Sequence, residues 1–125
     1  MAEESHALDA LKQMGKSAVP TLQLELKSER TGHRFKAAWV LSQLGPVARD
    51  AVPELIKATD DKDIVVRVYA IRAIAAIGGP TNDLIPILKS KLADSQGAVR
   101  NSAAESLRTV EVESAANNIS ISTNR

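Results

Sequence analysis

Three arginines, Arg34, Arg67 and Arg100, stand 33 residues apart, and two aspartates, Asp61 and Asp94, keep the same interval six residues ahead of the last two. Guanidiniums spaced once per repeat could follow a phosphate backbone. The same types also suit a different task, because a turn carboxylate can accept the two parallel N–H bonds of an arginine that opens the following helix. The five residues are therefore read as a structural ladder rather than a phosphate stripe.

The remaining reactive side chains do not assemble into a recognisable catalyst. Histidine occurs only at His6 and His33, neither beside a glutamate nor paired four residues apart on a helix, so no metal site and no cofactor are expected. Ser, His and Asp are present, but not at spacings that join a nucleophile to its base. Glu3-Glu4 and Asp60-Asp61 fall at a terminus and a turn, where solvation accounts for them. Gly78-Gly79-Pro80 reads as a helix stop, since no strand precedes it to form a phosphate loop. The sequence predicts a protein without enzymatic turnover.

The aromatic residues point instead to binding. Phe35, Trp39 and Tyr69 are all that the chain contains, and a 33-residue shift superposes Trp39 on Arg72 and Glu105, and Tyr69 on Lys36 and Ser102. Columns that carry charge face water. Exposed rings combine large apolar area with few rotors, which is why they recur at binding hot spots. The competing reading is that Trp39 and Tyr69 fill gaps between neighbouring helices.

The elements that must position these residues follow from the same period. Pro20, Pro53 and Pro86 share it, as do Val19, Val52 and Ile85; Leu22, Leu55 and Leu88; Ala37, Ala70 and Ala103; Leu41, Ile74 and Leu107; and Leu44, Ile77 and Val110. A fixed period of this length marks a stacked repeat protein. Within one unit, Asp50 to Gly78, apolar residues recur at three and four, break at Asp60 to Asp63, and recur again, which predicts two helices. Ser17, Asp50 and Asp83 are of the N-capping type, and Gly15, Gly45 and Gly78 stand where helices should stop. A start at Pro46 would instead make Pro53 a kink. Seven helices are expected, near 3–14, 17–28, 31–44, 48–59, 63–77, 81–93 and 97–110, forming a repeat domain over 1–112. Residues 113–125 are expected to be a polar, disordered tail, because Glu111 and Ile119 replace the glycine and proline columns.

Composition narrows the function class. Hydrophobic residues make up 44% and aromatics 2%, so the core must be aliphatic and its helices closely spaced. Sixteen basic against fifteen acidic residues give a net charge of +1, too balanced to announce nucleic acid. The absence of cysteine removes disulfides and thiolate chemistry and agrees with a cytoplasmic location. Met1 to Ala10 lacks the basic start and apolar run of a signal peptide, and no stretch approaches a membrane span.

The segment "AVPELIKATDDKDIVVRVYAIRAIAAIG" resembles the short HEAT-like repeat of the phycobilisome-lyase type. The resemblance lies in the columns Pro20, Pro53 and Pro86; Asp61 and Asp94; Val66 and Val99; and Arg34, Arg67 and Arg100, and covers about residues 4–110. It implies an all-α, short right-handed α-solenoid of about three and a half repeats, with the proline helices convex and the Val-Arg helices concave. Ser28 and His33 depart from the pattern in the first unit, which bears on the first rung of the implied Asp–Arg ladder. On the implied concave face lie His6, Asp9 and Gln13, Lys36, Trp39 and Gln43, Tyr69, Arg72 and Ala76, and Ser102, Glu105 and Thr109; the binding site is expected at Lys36, Trp39, Gln43, Tyr69, Arg72 and Glu105. The expected function is a non-catalytic scaffold for a protein or peptide. The resemblance also implies a bilin lyase-like enzyme or subunit as an alternative, and nucleic-acid binding as a weaker one. Leu8, Leu11 and Met14 at one end, and Val99, Leu107 and Val110 at the other, leave open a homodimer through an end of the array.

Overall fold

A computed structural model describes the backbone of residues 2–78 and 81–123, and the side chains of residues 10, 12–78, 83–113, 115 and 116. Every regular element among the described residues is helical. The order is α1 (Ala2–Glu25), α2 (Thr31–Leu44), a 3₁₀ connection (Gly45–Ala51), α3 (Val52–Ala58), α4 (Ile64–Ile77), α5 (Thr81–Ser90), a 3₁₀ turn (Lys91–Ala93) and α6 (Gly97–Thr123). Helix α2 packs on α4 and α4 on α6, while α1 flanks α2, α3 flanks α4 and α5 flanks α6. The molecule is a stack of three helical pairs, as the period requires.

Six α-helices replace the expected seven. The two predicted over 3–14 and 17–28 are one helix, because the first connection is three residues shorter than the later ones and those residues are what a reversal needs. Ser17 does not cap: its hydroxyl donates to the Gln13 carbonyl one turn back at 2.9 Å. Gly15 has another purpose, since a Cβ there would come within 2.7 Å of Leu44 Cδ2, so its missing side chain lets α1 lie against the end of α2. Pro20 is inside α1, on its exposed side.

Gly45 and Gly78 do end their helices, at φ +64° and +74°, in a region that L side chains rarely adopt. Pro46 and Pro53 lie in the first turns of the 3₁₀ connection and of α3, and the break in this stretch is at Ala48 (φ −90°, ψ 17°) rather than at Pro53. Asp50 lies in that connection and Asp83 within the first turn of α5, so they too are not caps. The side chain that caps is Asp63, which accepts from the amides of Val65 and Val66 and opens α4.

Beyond Val110 the helix does not stop. Without a glycine at position 111, and with Ala115 and Ala116 favouring helix, α6 continues to Thr123, through most of the segment where a disordered tail was expected. Among the described side chains of this extension, Glu111, Val112, Glu113, Ala115 and Ala116 are exposed.

The core is a continuous aliphatic seam. Leu41, Leu55, Val66, Ala70 and Ile74 bury together between the first two units, and Ile71, Leu88, Val99, Leu107 and Val110 between the last two. Val99, Leu107 and Val110 are thus covered by α4 and do not form an apolar edge. Met14 is exposed, while the side chains of Leu8 and Leu11 lie outside the described residues.

Candidate functional site

The ladder is built as the residue types demand, but Arg34 and Arg67 each work in two directions. Arg34 is 6% exposed, and its Nη1 donates to the carbonyls of Ser28 at 2.9 Å and Glu29 at 3.2 Å, closing the turn before its own helix. Its Nε and Nη2 donate to Asp61 of the next unit, at 2.8 and 3.2 Å. Arg67 repeats the arrangement: Nη1 donates to the Asp61 carbonyl at 2.8 Å and Nη2 to Asp94 Oδ1 at 3.3 Å. Arg67 Nε lies 3.2 Å from Asp94 Oδ2, but off line for a hydrogen bond, so this second rung is looser. Arg100 keeps the backward bond alone, to the Asp94 carbonyl at 2.8 Å.

For Arg34 and Arg67 the carboxylate partner is therefore the acid 27 residues ahead, not the side chain of the turn residue six behind. Ser28 costs the first rung nothing, because the acid of Arg34 is Asp61. The turn position has a second duty, and serine can perform it. Asp61 accepts from the Asp63 amide and Asp94 from the Gln96 amide, both at 2.9 Å, and Ser28 Oγ accepts from the Arg30 amide at 3.1 Å. The ladder is thus a hinge-stiffener between units, which supports the structural reading over a phosphate stripe.

Electrostatics follow the geometry. Burial pushes the Asp61 carboxyl upward, but the bond from Arg34, the Asp63 amide and the nearby positive charges outweigh it and hold Asp61 below the usual carboxylate range. Asp94 is also held low, first by the Gln96 amide and then, against burial, by Arg67 and Lys91. The bond to Asp61 raises Arg34 further, against desolvation. Two more contacts tie the units: Gln23 donates to the Asp50 carbonyl and to Glu54, and Lys91 pairs with Asp60.

The second helices α2, α4 and α6 carry the expected binding residues, and the structure sorts them into two groups. Trp39, Arg72 and Glu105 form an exposed column, with Trp39 45% open to solvent, and Lys36 and Gln43 flank it one turn either side on α2. Tyr69 is only half-exposed: it meets Phe35 edge-to-face with ring centroids 4.8 Å apart, and the Arg72 guanidinium lies over it at 5.5 Å. Tyr69 is therefore mainly filler between α2 and α4, topped by a cation. Ser102 is 3% exposed and so leaves the strip. The side chains of His6 and Asp9 lie outside the described residues.

Two open grooves adjoin this strip. One, of about 270 Å³, runs between α4 and α6 and is lined by Arg72, Ala75, Ala76, Glu105, Ser106 and Thr109. The other, of about 320 Å³, lies between α1 and α2, with Leu22, Ala37 and Val40 beneath Glu25, His33 and Lys36. His33 Nδ1 approaches Glu25 at 3.1 Å across that groove's rim. Sequence reasoning missed both grooves, since each is made by residues from helices that pack side by side. Among the described residues no three His, Asp or Glu converge as a metal centre, and no helix is long and apolar enough to cross a membrane.

No curated protein matches the sequence. The family model for HEAT repeats matches residues 25–108, about two thirds of the chain, spanning the ladder and the α2, α4 and α6 strip. A stack of helical pairs, an arginine and an aspartate locking each pair to the next, and this match together show that the chain belongs to the HEAT repeat family.

Proposed function

We propose that the protein is a non-catalytic scaffold that receives a protein or peptide on the face formed by α2, α4 and α6. HEAT repeats commonly serve as protein-interaction scaffolds, and stacked repeats supply extended surface more readily than an enclosed reaction site. The observation that carries the reading is Trp39, a large ring left 45% exposed on a helix whose core-facing positions are already filled by Ala37, Ala38 and Leu41. Burying such a ring against a partner would recover apolar area that folding left in water. Lys36, Gln43, Arg72 and Glu105 surround it with both signs of charge, which suits a polar peptide better than a polyanion.

Within the family, the 33-residue period and its Pro, Asp and Val-Arg columns support the phycobilisome-lyase type of repeat. Trp39 is the sole tryptophan, so its emission reports directly on the proposed site. Partner binding should shift that emission to shorter wavelength. Trp39→Ala should keep its helical circular dichroism and lose at least tenfold in affinity, the size expected when a hot-spot ring is removed. Full affinity in the folded variant would reject this face.

A further inference from the structure

Arg34 and Arg67 show what the third arginine is built to do. In each of the first two units Nη1 donates to the carbonyl of the turn residue six positions back, leaving Nε and Nη2 to face the next unit's aspartate. Arg100 is in the same pose. Its Nη1 donates to the Asp94 carbonyl at 2.8 Å, and its Nη2 lies 3.4 Å from where a Cβ on Gly97 would be. Its Nη1 is held, and no carboxylate among the described residues meets Nε or Nη2.

The face around it differs from the covered faces of the first two units. Positions that the next unit covers there are Phe35 and Val68, and Ala38 and Ile71; in the third unit they are Asn101 and Ala104. Leu92, whose counterparts Leu26 and Thr59 are buried, is 42% exposed. Lys89, Arg100 and Arg108 are exposed, and none makes an ion pair among the described residues. Where Gly45 and Gly78 reverse the chain, Glu111 lets α6 run on to Thr123, so the described chain brings no turn back over this end.

We propose that this end of the array, centred on Arg100 in a unit that also exposes Lys89 and Arg108, is a receptor for an acidic turn of another protein. The occupant offers an aspartate whose carboxylate takes the Nε and Nη2 bonds, as Asp61 takes those of Arg34, while flanking acids meet Lys89 and Arg108. A second copy of the chain does not fit. Its Asp61 and Asp94 are already held, and the one turn left free, at Ser28, carries a hydroxyl instead of a carboxylate. This face is separate from the Trp39 strip, and the proposal does not depend on that reading.

The test uses the full chain and a capped peptide copying residues 58–66, which contains the Asp61 turn. Titration followed at the arginine Nε–Hε resonances should move Arg100 saturably and leave Arg34 and Arg67 in place. Replacing the peptide's Asp61 equivalent by asparagine should weaken binding roughly tenfold, as loss of a charge-assisted bidentate contact implies. Arg100→Lys, at an exposed position that keeps its charge, should weaken it similarly without loss of helicity. Equal binding of the asparagine peptide, or an Arg100 resonance that never responds, would overturn the proposal. So would an Arg100 resonance that shifts on diluting the protein alone, which would put a second copy on this face.

Discussion

At the scale of single residues, the decisive pair is Arg34 with Asp61. Both side chains are largely buried, 8% and 11% exposed, so removing one leaves the other charged and without its partner. Asp61→Asn should cost about 3 kcal/mol in urea unfolding, and Asp94→Asn less, because Arg67 meets Asp94 with one aligned bond where Arg34 meets Asp61 with two. Equal losses would show that the alignment does not matter. The same carboxyls set an acid limit. Their native pKa values are depressed, so in acid the unfolded chain binds more protons and stability falls with pH. The contribution is complete above the ordinary carboxylate value of about 4 and disappears as pH drops through the lowered native values. A pH series of urea midpoints should decline below about pH 4, more gently in Asp61→Asn than in the parent chain.

At the scale of elements, glycine and its absence decide where helices end. Gly78 has φ +74° and nothing within 4 Å of a Cβ placed there, so any cost of Gly78→Ala comes from the backbone alone. That cost should be about 1–3 kcal/mol by thermal or urea unfolding, and a neutral substitution would mean that α4 can end another way. The extension of α6 makes the opposite case. Its residues Glu111 to Glu113, Ala115 and Ala116 are exposed. Removing residues 114–125 should lower the helical circular dichroism signal and leave the unfolding midpoint where it was. A lower midpoint would mean that this segment packs on the array.

For the whole molecule, stability is shared between neighbours, since each unit buries its aliphatic face against the next. Leu55 is fully buried in the seam joining the first two units. Leu55→Asp places an unpaired charge there at a cost of several kcal/mol, comparable to the reserve of a small domain, and should abolish the cooperative transition. A folded variant with a separate, surviving transition for α4 to α6 would instead mean that the units are only loosely coupled. The proposed scaffold role belongs to this scale too. Trp39, Arg72 and Glu105 make one exposed column only because three units stack in register.

The repeat, its helical pairs, the aliphatic columns and the arginine ladder were legible in the sequence, because stacking equivalent units imposes equivalent environments and so writes a period into the chain. The same logic found the exposed Trp39 column. It failed where units are not equivalent. The fusion of α1 turns on three residues missing from a connection, and Gly15 reads as a stop in sequence but serves contact with Leu44. Tyr69 and Ser102 share a column yet differ in exposure, with Tyr69 half-exposed at a junction flanked by Phe35 and Arg72 and Ser102 only 3% exposed. Residue types and spacing determined which side chains could pair. Which unit's aspartate each arginine holds, and which arginine is left facing outward, were decided only when the helices packed, because a guanidinium reaches a few ångströms and 27 residues of chain separate it from its acid.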